Sequence, residues 1–255
     1  GGFTTIIMIV VVLGVMYFLM IRPENKRKKE AEQMRSALKN GDKVTTIGGI
    51  VGTVVDVKED KFVMETGADQ VRIEFLKWAL STNDSAAEAA KAQSDNRIAN
   101  LCKQFSDAFG MEISMEKTPQ IYTLLRDGVI TCVKSIVGPK EYYHRTRPFA
   151  YHKEGTLMPD AEGMLHQNGS FPSGHTLRGW TTALLLVEIN PERAEQLLSL
   201  GYQYGQSRVI SGYHWQSDID ASRLIASATV AKLHTSERFL RQMKRAKREY
   251  KKLSK

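Results

Sequence analysis

The spacing of the apolar residues changes once along this chain, and the change predicts two kinds of structure in one polypeptide. Between residues 43 and 74 the apolar positions fall in short β-branched runs: Lys43 to Ile47, Gly52 to Val57, Lys61 to Glu65 and Gln70 to Glu74. Gly48-Gly49, Glu59-Asp60 and Gly67 to Asp69 separate them, which predicts a small meandering β unit. Beyond residue 97 the period becomes helical, with Ile98, Leu101, Phe105, Ala108 and Phe109 on one face. Thr118-Pro119 predicts a helix start running to about Val137, Asn190-Pro191 a second start, and Ser217 the cap of a third helix through Leu233. Residues 83–96, rich in Ser, Ala, Asp and Gln and without large apolar side chains, read as a linker.

The front of the chain has its own signature. Phe3 to Ile21 is nineteen residues without a charge, enough for a helix of roughly 28 Å. Nothing basic precedes it, whereas Arg22, Lys26, Arg27, Lys28 and Lys29 follow. That flank favours a single transmembrane anchor over a cleaved signal peptide or a buried core helix, with the C-terminal side in the cytoplasm. The expected order is therefore an anchor in 1–22, a short polar helix and β unit in 23–82, a linker or fusion seam in 83–96, and a mainly α domain in 97–255. The chain opens with Gly-Gly, which implies that its natural start lies upstream.

Three clusters in the helical half carry chemistry. They are Lys140 to Pro148 with the pattern Lys-x6-Arg-Pro, Gly169 to Thr176 containing Pro172-Ser173-Gly174-His175, and Ser207 to Asp218 with the pattern Ser-Arg-x5-His-x3-Asp. Lys140, Arg147 and Arg208 are cations with too few local carboxylates to neutralise them. Ser173-Gly174 precedes an apolar helix, where unpaired backbone N–H groups and the helix dipole favour a phosphate. His214 and Asp218 stand four apart and share a face if that stretch is helical, so the carboxylate could hold one imidazole tautomer. His175 is left as a general acid and base. Each piece alone is more often a solvated face, a turn or a structural pair; the three in order describe an anion site with two imidazoles. His144, His152, His166 and His234 read as surface or supporting residues, and Trp180 and Trp215 as packing.

These residues resemble the phosphatidic-acid-phosphatase type 2 superfamily, and within it the bacterial class A nonspecific acid phosphatases, over about Ser94 to Lys252. The resemblance implies a helical bundle and a metal-independent, cofactor-free hydrolysis of phosphate monoesters. In it His214 is the nucleophile that becomes a phosphohistidine, Asp218 its partner, and His175 the proton donor. Lys140, Arg147, Ser173, Gly174 and Arg208 would bind phosphate, and inorganic phosphate or vanadate would inhibit. A vanadate-dependent haloperoxidase of the same superfamily is a competing reading.

The front segment, Ile21-Arg22-Pro23 and Gly41 to Val54 within about Phe3 to Leu80, resembles YajC, the Sec translocon accessory subunit. That implies Sec subunits as partners and a place in the bacterial cell membrane. It also sets a conflict, because class A phosphatases are periplasmic whereas the anchor's flank points to the cytoplasm. A translocon accessory subunit carrying an inert phosphatase fragment is the non-enzymatic alternative.

The net charge of +8 would invite a nucleic-acid partner, but it is local. From Arg238 to Lys255 there are nine Lys or Arg against Glu249 alone, which accounts for the whole of it. Phe239, Met243, Ala246, Tyr250 and Leu253 recur at three and four spacing, so the tail predicts a docked amphipathic helix, and no nucleic acid is expected. Cys102 and Cys132 could form one bridge at most.

Overall fold

The computed structural model describes residues 32, 34–67, 70–93, 95 and 97–254. The chain divides into two compact units, residues 1–85 and 86–255.

The first unit is a five-stranded antiparallel sheet in the order β4-β3-β2-β1-β5. Its strands are β1 (Lys43–Thr46), β2 (Val51–Val57), β3 (Lys61–Thr66), β4 (Val71–Leu76) and β5 (Leu80–Asn83). Alternation puts Val44, Val54, Phe62 and Met64 on one face, where Leu38 and Leu80 complete a small core. Phe62 stands opposite Phe75 in the β3–β4 register, and their rings stack at 5.7 Å. The four β-branched runs become β1 to β4. The fifth strand is polar and pairs with β1 across about forty residues, a pairing that the local pattern does not announce.

The second unit is helical. Its elements are α1 (Asp84–Ala92), α2 (Ile98–Phe109), α3 (Pro119–Lys134), α4 (Val137–Tyr143), α5 (Pro148–His152) and α6 (Glu162–His166). They are followed by α7 (Gly174–Ile189), α8 (Ala194–Ile210), α9 (Gln216–Leu233) and α10 (Glu237–Leu253). The first of these, α1, replaces much of the expected linker: its five alanines between Ala86 and Ala92 are strong helix formers that need no large apolar side chain.

Helix α7 is the centre of this unit, packed by α3, α8 and α9, with Leu177, Ala183, Leu185 and Leu186 fully buried. It packs closely on α8: a Cβ on Gly179 would fall 2.4 Å from Cβ of Tyr204, so only glycine fits that crossing. Helix α10 docks through Phe239, Met243 and Ala246, and Tyr250 meets Phe109 at 5.2 Å between ring centroids. Leu253, expected on that face, is exposed. Cys102 and Cys132 are buried free thiols, and desolvation pushes Cys102 up to about 12.

One expectation is corrected. Among the described residues no helix is long and apolar enough to cross a membrane. The apolar α7 illustrates why: its 16 residues carry Arg178 and Glu188 and reach only about 24 Å, short of a bilayer's hydrocarbon thickness. The fold is thus a helical unit and a β-rich unit, and the transmembrane helix, the membrane as partner and the single-pass localisation are not retained. Residues 3–21, on which those expectations rested, lie outside the described residues.

Candidate active site

Each of the three clusters stands at or beside a helix start. In the first, α4 ends at Tyr143, His144 turns the chain with φ +36°, and Arg147-Pro148 opens α5. In the second, Ser173 is the N-cap of α7, and its hydroxyl oxygen accepts the Thr176 N–H at 3.4 Å and the Thr176 hydroxyl at 2.9 Å. In the third, α8 ends at Ile210, and the carbonyl of Arg208 accepts the N–H groups of both Tyr213 and His214. That loop delivers His214 just before α9.

The second cluster is sewn to its neighbours. The Ser173 N–H donates to the Ser222 hydroxyl at 2.7 Å, and that hydroxyl donates to the Asp218 carbonyl at 2.7 Å. Gly169 passes so close to the first cluster that a Cβ would lie 2.9 Å from His144 Cα. The Ser170 N–H is bonded there to the Arg145 carbonyl at 2.8 Å.

His214 and Asp218 meet, although not inside one helix. His214 precedes α9, and Asp218 lies in its first turn, where Oδ2 reaches back to accept the Trp215 N–H at 2.8 Å. The same oxygen faces His214 Nδ1 at 3.4 Å. Ser217, read as the cap, instead accepts a bond from Arg145 at 2.8 Å. On the other edge of the imidazole, Arg147 Nη1 stands 3.3 Å from Nε2. Since arginine can only donate, that contact fits an unprotonated Nε2 and a proton on Nδ1 toward Asp218.

Arg147 is 4% exposed and held by the carbonyls of Leu165, Asn168, Gly169 and Tyr213. Lys140 donates to the Pro172 carbonyl at 3.0 Å. These bonds gather Lys140, Arg147, Ser173, Gly174, His214 and Asp218 around one spot. His175 follows Gly174 on the first turn of α7 and is partly exposed. Arg208 is the exception among the expected residues. It is buried at 1% exposure, and its guanidinium donates to Ser207 Oγ at 3.1 Å and to the Ala90 carbonyl of α1 at 2.5 Å. Arg145, within the first cluster, donates to Asp218 Oδ1 at 2.6 Å, a pairing that no local pattern announces.

The electrostatics suit an anion. Burial, then the positive charge of Arg147, lowers Lys140 to about 8. Burial lowers Arg147 to about 10. It also lowers His214 to about 4, with Arg147 and Lys140 adding to the effect and Asp218 opposing it. For Asp218, burial works upward, but the His214 hydrogen bond and charge, the Trp215 N–H and Arg145 outweigh it, and the carboxyl lies below its ordinary range. A phosphate dianion entering this spot would find cations that burial has left under-compensated.

Comparisons with known proteins agree with the architecture. Residues 119–241 match the family model of the PAP2 superfamily, and residues 6–83 match that of YajC, a preprotein translocase subunit. The chain is 43% identical over 182 residues to the non-specific acid phosphatase of Providencia stuartii, covering 71% of this chain and 73% of that protein. It is 37% identical over 177 residues to the non-specific acid phosphatase of Salmonella typhimurium, covering 69% and 70%. It is also 44% identical over 88 residues to the Sec translocon accessory complex subunit YrbF of Bacillus subtilis, covering 34% of this chain and 97% of that protein. The chain therefore belongs to the non-specific acid phosphatases of the PAP2 superfamily and carries a YajC-family segment in front. That kinship supports hydrolase activity of the phosphatase type.

Proposed function

We propose that the helical unit is a metal-independent phosphomonoesterase that works through a phosphohistidine at His214. The observation that carries this reading is the imidazole held between Asp218 on Nδ1 and Arg147 beside Nε2. Nε2 attacks phosphorus in line and the bond from phosphorus to the ester oxygen breaks. His175 supplies the proton that the departing alkoxide takes up. It then accepts a proton from the water that cleaves the N–P bond, so phosphate leaves and both imidazoles return to their starting state.

Lys140, Arg147, the Ser173 hydroxyl and the Gly174 N–H would hold the equatorial oxygens. Gly174 is the first residue of α7, so its N–H has no partner within the helix. The Ser173 N–H is already bonded to Ser222 and serves to shape the loop. Arg208 would join the phosphate by exchanging its bond to Ala90. The depressed basicity of His214 keeps the nucleophile uncharged in mildly acidic solution, which suits an acid phosphatase.

Hydrolysis of p-nitrophenyl phosphate in excess EDTA tests the reading. Turnover that survives the chelator and is lost in His214→Ala is expected; a folded wild-type protein without turnover would overturn it. For the front unit, the near-complete match to YrbF favours a second role as a Sec translocon accessory segment. Co-purification of Sec subunits with residues 1–85 tests that role.

A further inference from the structure

Arg145 lies in the first cluster, and none of the roles above uses it. Its Nη1 donates to Asp218 Oδ1 at 2.6 Å and to Ser217 Oγ at 2.8 Å, and the guanidinium lies 5.3 Å from the centre of the Trp215 ring. The Trp215 indole N–H donates to the Thr146 carbonyl at 2.8 Å. Residues 145 and 146 are thereby pinned to the start of α9 at separate points. The two oxygens of Asp218 consequently have different partners: Oδ1 takes Arg145, while Oδ2 takes the Trp215 N–H and faces His214.

We propose that Arg145 is a positioning residue for the His214 nucleophile: by occupying Asp218 Oδ1 it keeps that carboxylate ionised and turned so that Oδ2 meets Nδ1–H, leaving the lone pair on Nε2. The inference rests on the reading of His214 as nucleophile. An ion pair between exposed groups would contribute little. Here the arginine side chain is 39% exposed but the carboxylate is fully buried, and a buried charge depends strongly on each partner it has. The groups facing Asp218 are Arg145 from the 144–147 segment, and His214 and the Trp215 N–H from the loop before α9. Lys140 and Arg147 feel its charge from farther off. Of these cations, Arg145 is the one bonded to the carboxylate without also lying beside Nε2. Its removal raises the carboxyl's affinity for a proton.

The test compares wild type, Arg145→Met, Arg145→Lys and His214→Ala in p-nitrophenyl phosphate hydrolysis across pH. Arg145→Met should lower kcat roughly tenfold to hundredfold, as expected for the loss of one charge-assisted hydrogen bond, with KM little changed. The acid limb of its kcat/KM profile should move to higher pH. Arg145→Lys, which retains a cation, should recover much of kcat and return the limb toward wild type. Nitrogen NMR of the His214 ring supplies a second readout: one tautomer, protonated at Nδ1, in wild type and a mixture in Arg145→Met. Wild-type kcat and acid limb in Arg145→Met, with His214→Ala inactive, would overturn the role of Arg145 alone. A loss of kcat with neither the limb nor the tautomer moved would also overturn it, since that is the behaviour of a merely structural residue. Activity in His214→Ala would overturn the nucleophile reading itself.

Discussion

Glu249 caps a helix that begins 130 residues before it: its carboxylate accepts the N–H of Gln120 at 3.0 and 3.1 Å, and that of Ile121 at 2.9 Å. The single acid in the basic tail thus sits where the dipole of α3 favours negative charge. Thr118 stands at the N-cap position of α3, and its side chain closes the preceding turn on Ser114 and Glu112. Replacing Glu249 by Ala should cost about 1 kcal/mol and lower the melting temperature by a few degrees. The phosphatase kcat should stay at the wild-type value, because Glu249 is remote in role from the anion site. Differential scanning calorimetry beside a steady-state assay checks both halves.

The depressed basicities set a pH window. On the proposed mechanism, His214 near 4 means that the free enzyme loses its nucleophile as pH falls through about 4. Lys140 near 8 means that the charge assigned there to phosphate binding is lost as pH rises through about 8. The profile of kcat/KM should therefore decline on both sides. Lys140→Arg, which stays charged, should move the alkaline limb upward and leave the acid limb in place. Subtracting the wild-type profile removes the substrate's own ionisation, and an unmoved alkaline limb would exclude Lys140 as its source.

His214 also couples pH to stability. Its folded value lies below the ordinary 6.5, so the unfolded chain binds the extra proton first. The contribution is present above about 6.5 and is lost as pH falls through about 4, reaching roughly 3 kcal/mol. In urea unfolding, wild type should lose roughly 3 kcal/mol more than His214→Gln between pH 7 and about pH 4.

Gly169 is where two loops touch. A methyl group there would press on His144 Cα at 2.9 Å and on the Arg145 nitrogen at 3.0 Å, neither of which can rotate away. Gly169→Ala should cost roughly 1–3 kcal/mol and disturb the Gly169 carbonyl that receives Arg147. A lower melting temperature together with a lower kcat is expected. The same variant with unchanged kcat would show that the loop contact does not shape the site.

What the sequence revealed and concealed follows physical lines. Strands β1 to β4 were legible because Gly, Asp and β-branched residues mark turns and strands locally. Strand β5 was not, since Leu80-Ser-Thr-Asn83 is held by a partner remote in sequence. The helix α1 was missed because alanine supports a helix without the large apolar residues that advertise one. Most of the residues that meet at the candidate site fall in three short motifs, each at or beside a helix start where backbone groups and charges converge. Arg145 could not be assigned, as its partner lies 73 residues on and only the fold brings them together. The bond from Arg208 to Ala90 was hidden for the same reason, across 118 residues.

The most direct test of the central claim is to trap the phosphorylated enzyme. Wild-type protein turning over p-nitrophenyl phosphate is quenched in alkali, where phosphohistidine survives, and the peptides are mapped by mass spectrometry. The mechanism predicts a phosphate on His214, absent from His214→Ala, whose turnover should fall by about 10⁴ or more, as when a nucleophile is removed. A phosphate on another residue, or turnover in His214→Ala equal to wild type, would contradict it.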